Sequence, residues 1–530
     1  MRRITGRRSF LKGGLAALSL PILAACGGAT SPTAAPAKPA AAPTTAPAAG
    51  ATNTPAAAGA ATPAAGAATP AAAATKPAAG AATPAATGAA TPAAAATKPA
   101  AGAATPTPGP TAPAKPAAAP AAAPVAAKPG TELKIIQWSH FVPAYDEWFN
   151  KKYVLEWGQA NNVKVTVDNI NQADHPARTA AEASSKSGHD IFDWFALLYA
   201  HVYKDLLVDV DDLANPIGER FGGWIPFAEQ IGKVDGKWKA VPDFLVPFTG
   251  IYRSDVFKKA GLEKAPDTWD DLINFGAKGK GAGNPVGVSL AQNSDAEMSW
   301  RSLMWSYGAA EVKEDGKTSA LDSAETRKAL QASKDLYEKA MTNEVLSWDD
   351  AANNQYIQSG KSCWIHNPIS AYRTIEGQNP ELFKNIEDSL TPAGPAGRFM
   401  SPQFNLIGIW NFSKNIDTAK AFAWDLKANQ WETAHAASKA YDFPMEKDHW
   451  KQPMPVIGND PKLKALQEVD KTARWIGSPG PVTVAAAEVL DAHVITNMFG
   501  RFATGQGSLD DVIKEAVGLQ KQIYQKRGLA

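Results

Sequence analysis

The chain of 530 residues contains only two cysteines, Cys26 and Cys363. A single disulfide is the most it could form, so a hydrophobic core must hold the fold together. The eight histidines show no HExxH motif and no other metal-ligand spacing, and the sequence lacks GxSxG and CxxC motifs. The glycine-rich string at residues 279–283 lacks the context of a phosphate loop and predicts a surface turn. We therefore expect no metal, no cofactor and no catalytic residues.

Acidic residues are absent from residues 1–130, which hold ten of the 53 lysines and arginines. The remaining 400 residues carry 43 basic and 52 acidic side chains, and this negative balance disfavours binding to nucleic-acid phosphates. Long apolar runs are also scarce, since none beyond the N-terminus approaches the roughly 18 residues of a membrane helix. We expect a soluble protein apart from any anchor, with no nucleic acid among its partners.

Residues 1–26 have the pattern of an export signal, in which two arginine pairs precede an apolar run too short to span a membrane stably. The string RRSFLK from Arg7 to Lys12 resembles a twin-arginine signal, although Gly6 stands where Ser or Thr usually precedes the arginines. The string LAAC ending at Cys26 resembles a bacterial lipoprotein box. We expect export, lipidation of Cys26 and a position on the outer face of the cytoplasmic membrane.

Residues 27–130 consist almost wholly of Ala, Pro, Thr, Gly and Lys, and hold 20 of the 40 prolines. A repeat of 22 residues begins at Thr69 and again at Thr91. Such a segment buries too little apolar surface to offset its chain entropy, so it predicts a disordered tether. As a flexible coil it would span about 55–60 Å. A glycosylated stalk with no spacing role is the alternative.

From residue 131 the composition becomes globular. Apolar segments at Leu133–Trp138, Val163–Val167 and Asp190–Ala196 are separated by helix-length stretches, a pattern typical of a parallel sheet. Thr268 with Asp271, and Ser508 with Asp511, predict capping boxes at two helix starts. Since 400 residues exceed one ordinary core, we expect two α/β lobes with a cleft between them.

Several strings resemble, in order, the extracellular solute-binding proteins of ABC sugar importers, the maltose-binding-protein type. The most specific run is Val234–Ala277, which contains VDGKWKAVPDF, PFTGIYRSDVFKKAGL and PDTWDDLINFGAK. Further matches are GHDIF at residues 188–192, GKSCW at 360–364, and LIGIWNFSKNIDTAKAFAWDLK at 406–427. The likeness is weakest over 428–480, where residues 443–446 replace the family's Pro-x-Arg element.

This resemblance implies an α/β fold of the two-lobe periplasmic-binding-protein type, with hinge strands and a central ligand cleft. It places the solute-binding domain at 131–530, with lobe I at about 131–246 and 404–450 and lobe II at about 250–402 and 451–530. It implies a non-enzymatic, monomeric protein that captures a carbohydrate by hinge closure and delivers it to the permease subunits of an ABC importer.

Aromatic residues beside polar ones at strand ends suit a sugar, whose C–H faces stack on rings while its hydroxyls need hydrogen bonds. All sixteen tryptophans lie in the globular region, although a single Trp is more often a core residue. Ligands of open α/β sheets lie at the carboxyl ends of strands. The ligand-binding residues predicted at or near strand ends are Trp138, Ser139, His140, Asp193, Trp194, Phe244, Asn367, Gln403 and Asn405. Second-rank candidates are Trp305, Tyr441 and Trp475.

Other ligands and functions stay open at this point. A polyamine would need acids framing aromatic rings, which Asp193, Asp243 and Asp442 could supply, and a sugar phosphate would need clustered arginines. A cell-surface glycoside hydrolase would need two carboxylates about 5–10 Å apart, and adjacent pairs such as Asp349-Asp350 read better as caps and solvated faces. A sensory or adhesive receptor partner would differ only in what docks on the lobes.

Overall fold

The computed structural model describes residues 122–195 and 198–529. The predicted signal sequence, the Cys26 lipidation site and the tether up to residue 121 lie outside the described residues, as do the side chains of Trp194 and Phe195. Twelve strands occur in the described part. In chain order they are β1 (Glu132–Trp138), β2 (Lys164–Ile170), β3 (Ile191–Phe195), β4 (Lys233–Val234), β5 (Lys237–Trp238), β6 (Val241–Val246), β7 (Thr249–Arg253), β8 (Val286–Gly287), β9 (Trp364–Asn367), β10 (Ile386–Leu390), β11 (Gln403–Ile409) and β12 (Phe443–Pro444).

The same part of the chain holds nineteen α-helices. They are α1 (Pro143–Trp148), α2 (Val154–Asn161), α3 (His175–Ser185), α4 (Tyr199–Val202), α5 (Asp211–Arg220), α6 (Pro226–Gly232), α7 (Ser254–Ala260), α8 (Trp269–Gly281), α9 (Ser294–Ser306), α10 (Ala324–Ala340), α11 (Ala352–Gln358), α12 (Ser370–Gln378), α13 (Pro380–Phe383), α14 (Ile416–Asn429), α15 (Trp431–Ala437), α16 (Pro455–Gly458), α17 (Val484–Asp491), α18 (Val494–Ala503) and α19 (Leu509–Lys526). A short π-helix (Phe149–Tyr153) joins α1 to α2.

The first lobe is built on a six-stranded sheet of order β12-β6-β11-β3-β1-β2. β1 pairs in parallel with both β2 and β3, which confirms the parallel pattern predicted for the first three strands. β11 joins this sheet antiparallel to β3 and β6, and β12 pairs antiparallel with β6. The carboxyl ends of β1 and β3 therefore lie at one edge, beside the first residues of β11.

The second lobe is built on a four-stranded sheet of order β10-β7-β9-β8. The chain leaves the first sheet at Val246 and enters the second at Thr249, so only Pro247 and Phe248 form the first crossing. It returns between Leu390 and Gln403. Two sheets joined by such crossings confirm the predicted two-lobe α/β fold.

Two hydrophobic cores occur in the described part, and the first continues from the large sheet into the small sheet through Ile251 and Ile365. The first core lies between the large sheet and the helices α1, α2 and α14, and includes Ile135, Phe149 and Phe422. The second lies around α8, α10, α18 and α19, and includes Trp300 and Phe499, whose rings stack at 5.5 Å. No helix within 122–195 or 198–529 is long and apolar enough to cross a membrane.

Both predicted capping boxes are present. The Thr268 hydroxyl accepts from Asp271 N at 3.0 Å while the Asp271 carboxylate accepts from Thr268 N, and Ser508 and Asp511 repeat the arrangement at α19. The prediction of a surface turn at residues 279–283 is wrong for its first three residues. Gly279–Gly281 form the last turn of α8, because this helix packs on β8 and continues until Gly283 takes a positive φ.

Removing the α8 cap should weaken the second lobe. We expect Thr268→Ala to lower the free energy of unfolding by about 1 kcal/mol, because the Asp271 backbone N–H loses its acceptor, the Thr268 hydroxyl. Urea denaturation followed by circular dichroism measures the change. Thr433→Ala, at an exposed position inside α15, is the matched control and should be neutral. Equal effects of the two substitutions would contradict the capping role.

Candidate functional site

A cavity of about 570 Å³ lies between the lobes, and we call it the interlobe cavity. The first lobe contributes residues from the segment after β2, and the second lobe contributes the start of α9 and the turn before α11. The remaining wall is the end of α17 and the residue that precedes α18. The lining residues are Gln172, Ala173, Pro176, Gln292, Asn293, Ser294, Glu297, Met298, Trp348, Asp349, Asp350, Leu490, Asp491 and His493.

A row of buried polar side chains crosses four adjacent strands of the first lobe, and we call Gln137, Asp193, Asn405 and Asp243 the polar row. Gln137 of β1 is in register with Asp193 of β3, so their side chains leave the same face of the sheet. The Asn405 amide on β11 donates to both the Asp193 carboxylate and Asp243 Oδ2, the latter at 3.0 Å. All four residues are buried.

His140 and Tyr145 pack as a stacked pair at the end of β1, with ring centroids 4.5 Å apart. Val142 N–H donates to His140 Nδ1 at 2.9 Å, which assigns the proton to Nε2, and Nε2 lies 3.1 Å from Asp442 Oδ1. Burial, followed by the charges of Asp243 and Asp193, raises the pKa of Tyr145 well above its usual range. The Tyr145 ring is therefore close to the acids of the polar row.

Lys427 of α14 supplies the positive charge beside this group. Its Nζ lies 3.2 Å from Asp243 Oδ1 and 3.6 Å from Glu446 Oε1, and it also donates to the Asp243 backbone carbonyl. The charges of Glu446 and Asp243 outweigh the effect of burial and raise the pKa of Lys427. This ammonium is thus fully engaged and leaves Asp193 without a cation within 4 Å among the described residues.

The second lobe presents two further acids, Asp295 and Asp350, at the start of α9. Asp350 Oδ1 accepts from Asp295 N at 3.0 Å, and Asp295 Oδ2 accepts from Asn353 Nδ2 at 2.6 Å. Asn353 also donates to Asn367 Oδ1 at 3.1 Å, so the end of β9 belongs to the same network. Neither acid has an ion-pair partner in the described part of the chain.

The two groups meet around Tyr441 and the hinge strand β11. The pKa of Tyr441 is raised well above its usual range by burial, and then by Asp442 of the first lobe and by Asp295 and Asp350 of the second. Gln403 Nε2 at the start of β11 donates to Ser294 Oγ, a cavity residue, at 2.6 Å. Tyr441 therefore lies near acids of both lobes.

Burial also changes the protonation of these acids. Loss of hydration, then the neighbouring Asp243, raises the pKa of Asp193 well above its usual range, and burial with Asp350 does the same for Asp295. At the first-lobe rim, burial lowers the pKa of His175 to about 4, against a smaller opposing hydrogen bond to the Asp193 backbone. His175 and Pro176 thus join the polar row to the cavity wall.

The other end of the cavity is held by an ion-pair network. Arg301 is fully buried between Glu297 and Glu311, with Arg301 Nε donating to Glu311 Oε1 at 2.9 Å. Glu297 Oε1 also lies 3.0 Å from His493 Nδ1. The pKa of His493 is raised chiefly by its hydrogen bond to Glu297. This network fixes the residue before α18 against α9.

The sequence-predicted ligand residues fall into two sets. Trp138, Ser139, His140, Asp193, Phe244 and Asn405 lie at or next to the polar row, Tyr441 and Gln403 at the junction of the lobes, and Asn367 in the Asp295 network. Trp305 lies in the second core, and Trp475 is half-buried and donates from Nε1 to Gly480 O at 2.7 Å. The Trp194 side chain lies outside the described part. Their roles as ligand contacts stay predictions.

Four residues of the region were missed from the sequence: Gln137, Asp295, Trp348 and Asp350. Asp349-Asp350 was noticed as an acid pair but interpreted as a solvated face, while Asp350 is half-buried against α9. Asp295 and Trp348 follow no predicted strand, so strand ends could not find them. Gln137 lies inside an apolar strand string, LKIIQW, where a lone polar residue was the available signal.

Two larger cavities lie elsewhere. One of about 680 Å³ is bounded by residues 122–129, α2 and α14, outside the region between the sheets. One of about 820 Å³ lies between residues 201–235 and the ends near Val482 and Arg527, and its charges pair with one another, as in Lys204 with Asp235 at 2.7 Å. Neither contains residues of the polar row or of the Asp295 network.

Converting Asp193 to its isosteric amide should make the ligand-free protein more stable at neutral pH. Because the pKa of Asp193 is raised, the folded parent retains a proton that the unfolded chain releases above about pH 4, and its stability falls as the pH rises. We therefore expect the advantage of Asp193→Asn in urea denaturation to grow from pH 4 to pH 7. The exposed control Asp205→Asn should show no such trend. A pH-independent difference would contradict the assignment.

Comparison with known proteins gives the same architecture. The family described as bacterial extracellular solute-binding protein matches residues 138–424, more than half of the chain. A putative binding protein of Brucella abortus is 25% identical over 297 residues, 55% of this chain and 69% of that protein. A probable ABC transporter-binding protein of Deinococcus radiodurans is 26% identical over 229 residues, 41% of this chain and 54% of that protein.

Solved structures share the fold at low sequence identity. The maltose-bound MalE3 of T. maritima superposes with a TM-score of 0.65 at 21% identity, covering 74% of this chain and 100% of that one. A sugar transporter from Arthrobacter chlorophenolicus with bound laminaribiose gives 0.64 at 17%, covering 74% and 99%. A solute-binding protein from Agrobacterium radiobacter in complex with ribitol gives 0.63 at 16%, covering 75% and 100%. The two sheets, their crossings and the match over 138–424 together establish that this chain belongs to the bacterial extracellular solute-binding protein family.

Proposed function

We propose that this protein is the extracytoplasmic substrate-binding component of an ABC importer, and that it captures a carbohydrate between its lobes and delivers it to the permease. The observation that carries the proposal is the interlobe cavity of about 570 Å³, which is walled by both lobes and lined by polar groups beside Trp348. This volume lies within the range of small-ligand sites. Proteins of the same fold have been captured with maltose, laminaribiose and ribitol, which supports the proposed ligand class.

The lobes are connected in a way that suits hinge closure. The first crossing is only two residues long, and the second lobe has a core of its own around α8, α10, α18 and α19. One polar contact between the hinge strand and the second lobe joins Gln403 to Ser294. A ligand held by both walls would stabilise the closed arrangement, because it binds that state more tightly than the open one.

Export, anchoring and partners belong to the same proposal. Lipidation of Cys26 would hold the protein at the outer face of the cytoplasmic membrane, and residues 27–130 would give the binding domain reach towards the permease. The protein acts as a monomer with a small molecule and the permease subunits as partners. We propose no catalysis, since the family consists of binding proteins.

The Trp348 ring, half-exposed at the cavity wall, should contribute to ligand binding. We expect Trp348→Ala to weaken binding of the cognate sugar at least about 10-fold, because an aromatic platform for a sugar face is lost. Isothermal titration calorimetry of residues 122–530 with glucose, maltose, laminaribiose and ribitol measures the affinity. Phe275→Ala, a half-buried ring on the outer side of α8, is the control and should leave affinity unchanged.

Two results would contradict the proposed function. One is conversion of a bound sugar into a new product, detected by chromatography of the ligand after incubation. The other is failure of every tested small molecule to bind, with no rise in melting temperature at saturating concentration.

A further inference from the structure

His493 is the basic residue of the interlobe cavity, whose described lining includes no lysine and no arginine. It stands between α17 and α18 with φ 52° and ψ 35°, in the left-handed region that non-glycine residues adopt only where their surroundings hold them. Its backbone N–H donates to Leu490 O at 3.0 Å, and its carbonyl accepts from Asn497 N at 2.9 Å. The backbone therefore fixes the imidazole at the cavity wall.

One nitrogen of this ring is engaged by a buried ion-pair network. Nδ1 of His493 lies 3.0 Å from Glu297 Oε1, and the same carboxylate accepts from Arg301, which also pairs with Glu311. Arg301 is one positive charge between two buried carboxylates. An imidazolium makes the four groups neutral together, and an unbalanced buried charge is costly. The charge count therefore favours a protonated ring whose Nδ1–H donates to Glu297.

The other ring nitrogen, Nε2, is left without a partner. Among the described residues, the side-chain hydrogen bond of His493 runs to Glu297 through Nδ1, and none is made by Nε2. The His493 side chain is 29% exposed, while that of Glu297 is 2% exposed. Both nitrogens of an imidazolium carry a proton. Nε2–H is therefore a charged donor on a cavity-lining residue, and it has no acceptor of its own.

Carboxylates line the same cavity as this donor. Asp491 ends α17, and Asp349 and Asp350 precede α11. These charges disfavour an anionic ligand, because like charges repel. A hydroxyl group suits such a wall, since its oxygen accepts from Nε2–H while its own proton is donated to a carboxylate. With the Trp348 ring on the lining as well, the chemistry fits a neutral carbohydrate better than a sugar phosphate.

We infer that His493 binds the ligand directly, donating from Nε2–H to a hydroxyl oxygen of the captured carbohydrate while Glu297 holds the ring through Nδ1. The inference rests on the proposed function and names a residue that selects its ligand, because a neutral hydroxylated molecule is accepted and a phosphorylated one is disfavoured. Strand ends could not identify His493, since it stands before a helix.

The inference requires the affinity to fall as the pH rises. The hydrogen bond to Glu297 is the main cause that raises the pKa of His493, so the ring keeps both protons at pH 6.5 and loses one above its raised pKa. The remaining proton stays on Nδ1 beside Glu297, and Nε2 ceases to be a donor. The charged groups that face the ring are Glu297 and Arg301 of α9, Asp491 of α17 and Asp350 before α11.

Asp491 titrates in a neighbouring range and has to be tested separately. Burial, the largest effect, raises its pKa to about 6, so this acid is ionising while His493 is still charged. Its ionisation adds an acceptor to the wall, and the loss of the His493 proton removes a donor. The two residues therefore have opposite effects on a bound hydroxyl, and separate variants distinguish them.

The test is calorimetry of the full chain carrying Cys26→Ser, which removes the proposed lipidation site, from about pH 6 to about pH 9. The probes are glucose, maltose, laminaribiose and ribitol, with glucose 6-phosphate as the anion. His493→Asn is the test variant, since asparagine tolerates a left-handed backbone but is too short to put a donor at the Nε2 position. We expect it to bind the sugar at least about 10-fold more weakly at pH 6 and to lose the decline towards pH 9.

Two controls separate His493 from other causes. Lys186→Asn replaces an exposed residue that is also left-handed, at the end of α3, and should change neither the affinity nor its pH dependence. Asp491→Asn removes the other titrating group and should retain the decline at high pH. Melting temperatures of the ligand-free variants show whether each has folded.

Nitrogen NMR of the histidine side chains examines the same ring without a ligand. His493→Asn assigns the signal, and we expect its titration midpoint to lie above the ordinary value of about 6.5. Glu297→Gln should lower this midpoint, because the charged acceptor of Nδ1–H is lost. A midpoint below about 6.5 in the parent would overturn the inference, since Nε2 would then lack its proton at neutral pH.

The binding results distinguish failure of this inference from failure of the proposed function. A sugar that binds His493→Asn as tightly as the parent, with no pH dependence in either, overturns the role of His493 and leaves carbohydrate capture intact. Tighter binding of glucose 6-phosphate than of glucose overturns the preference for a neutral ligand. Silence of every compound rejects the inference and the proposed function together.

Discussion

The Asn405 amide, shared between the carboxylates of Asp193 and Asp243, is the contact on which the interlobe region depends. It joins β3, β11 and β6 on one buried face, at the point where β11 enters the first sheet from the second lobe. Two carboxylates this close repel each other unless a donor or a proton lies between them. One hydrogen-bonding group thereby links the hinge strand to two buried acids of the first lobe.

This arrangement sets stability against function. Burying Asp193 and Asp295 without a cation raises the pKa of each and makes the ligand-free protein less stable at neutral pH than amides at these two positions would. The large apolar cores, in which Trp300 and Phe149 are fully buried, contribute stability that offsets this loss.

Where local chemistry decides a feature, the sequence predicted it. The strands Glu132–Trp138, Lys164–Ile170 and Ile191–Phe195 lie where apolar segments predicted them, and the Thr268 and Ser508 capping boxes follow from side chains three residues apart. The prediction for the end of α8 was wrong. Gly279 and Gly281 indicated a turn in the sequence, whereas packing of the helix on β8 keeps them helical. Strand ends also led to Asp193, Asn367 and Asn405, which lie in the polar networks of the cleft.

The sequence by itself determined the two-lobe α/β plan, because hydrophobic periodicity, capping pairs and motif order are local properties of the chain. Only the tertiary structure decided which acids are buried and which groups they contact. Asp193 and Asp295 are about one hundred residues apart in sequence, and Asp350 appeared to be a solvated neighbour of Asp349. Their burial arises from contacts between segments that are distant in sequence, such as Asn405 with Asp193 and Asn353 with Asp295, so no single segment carries that information.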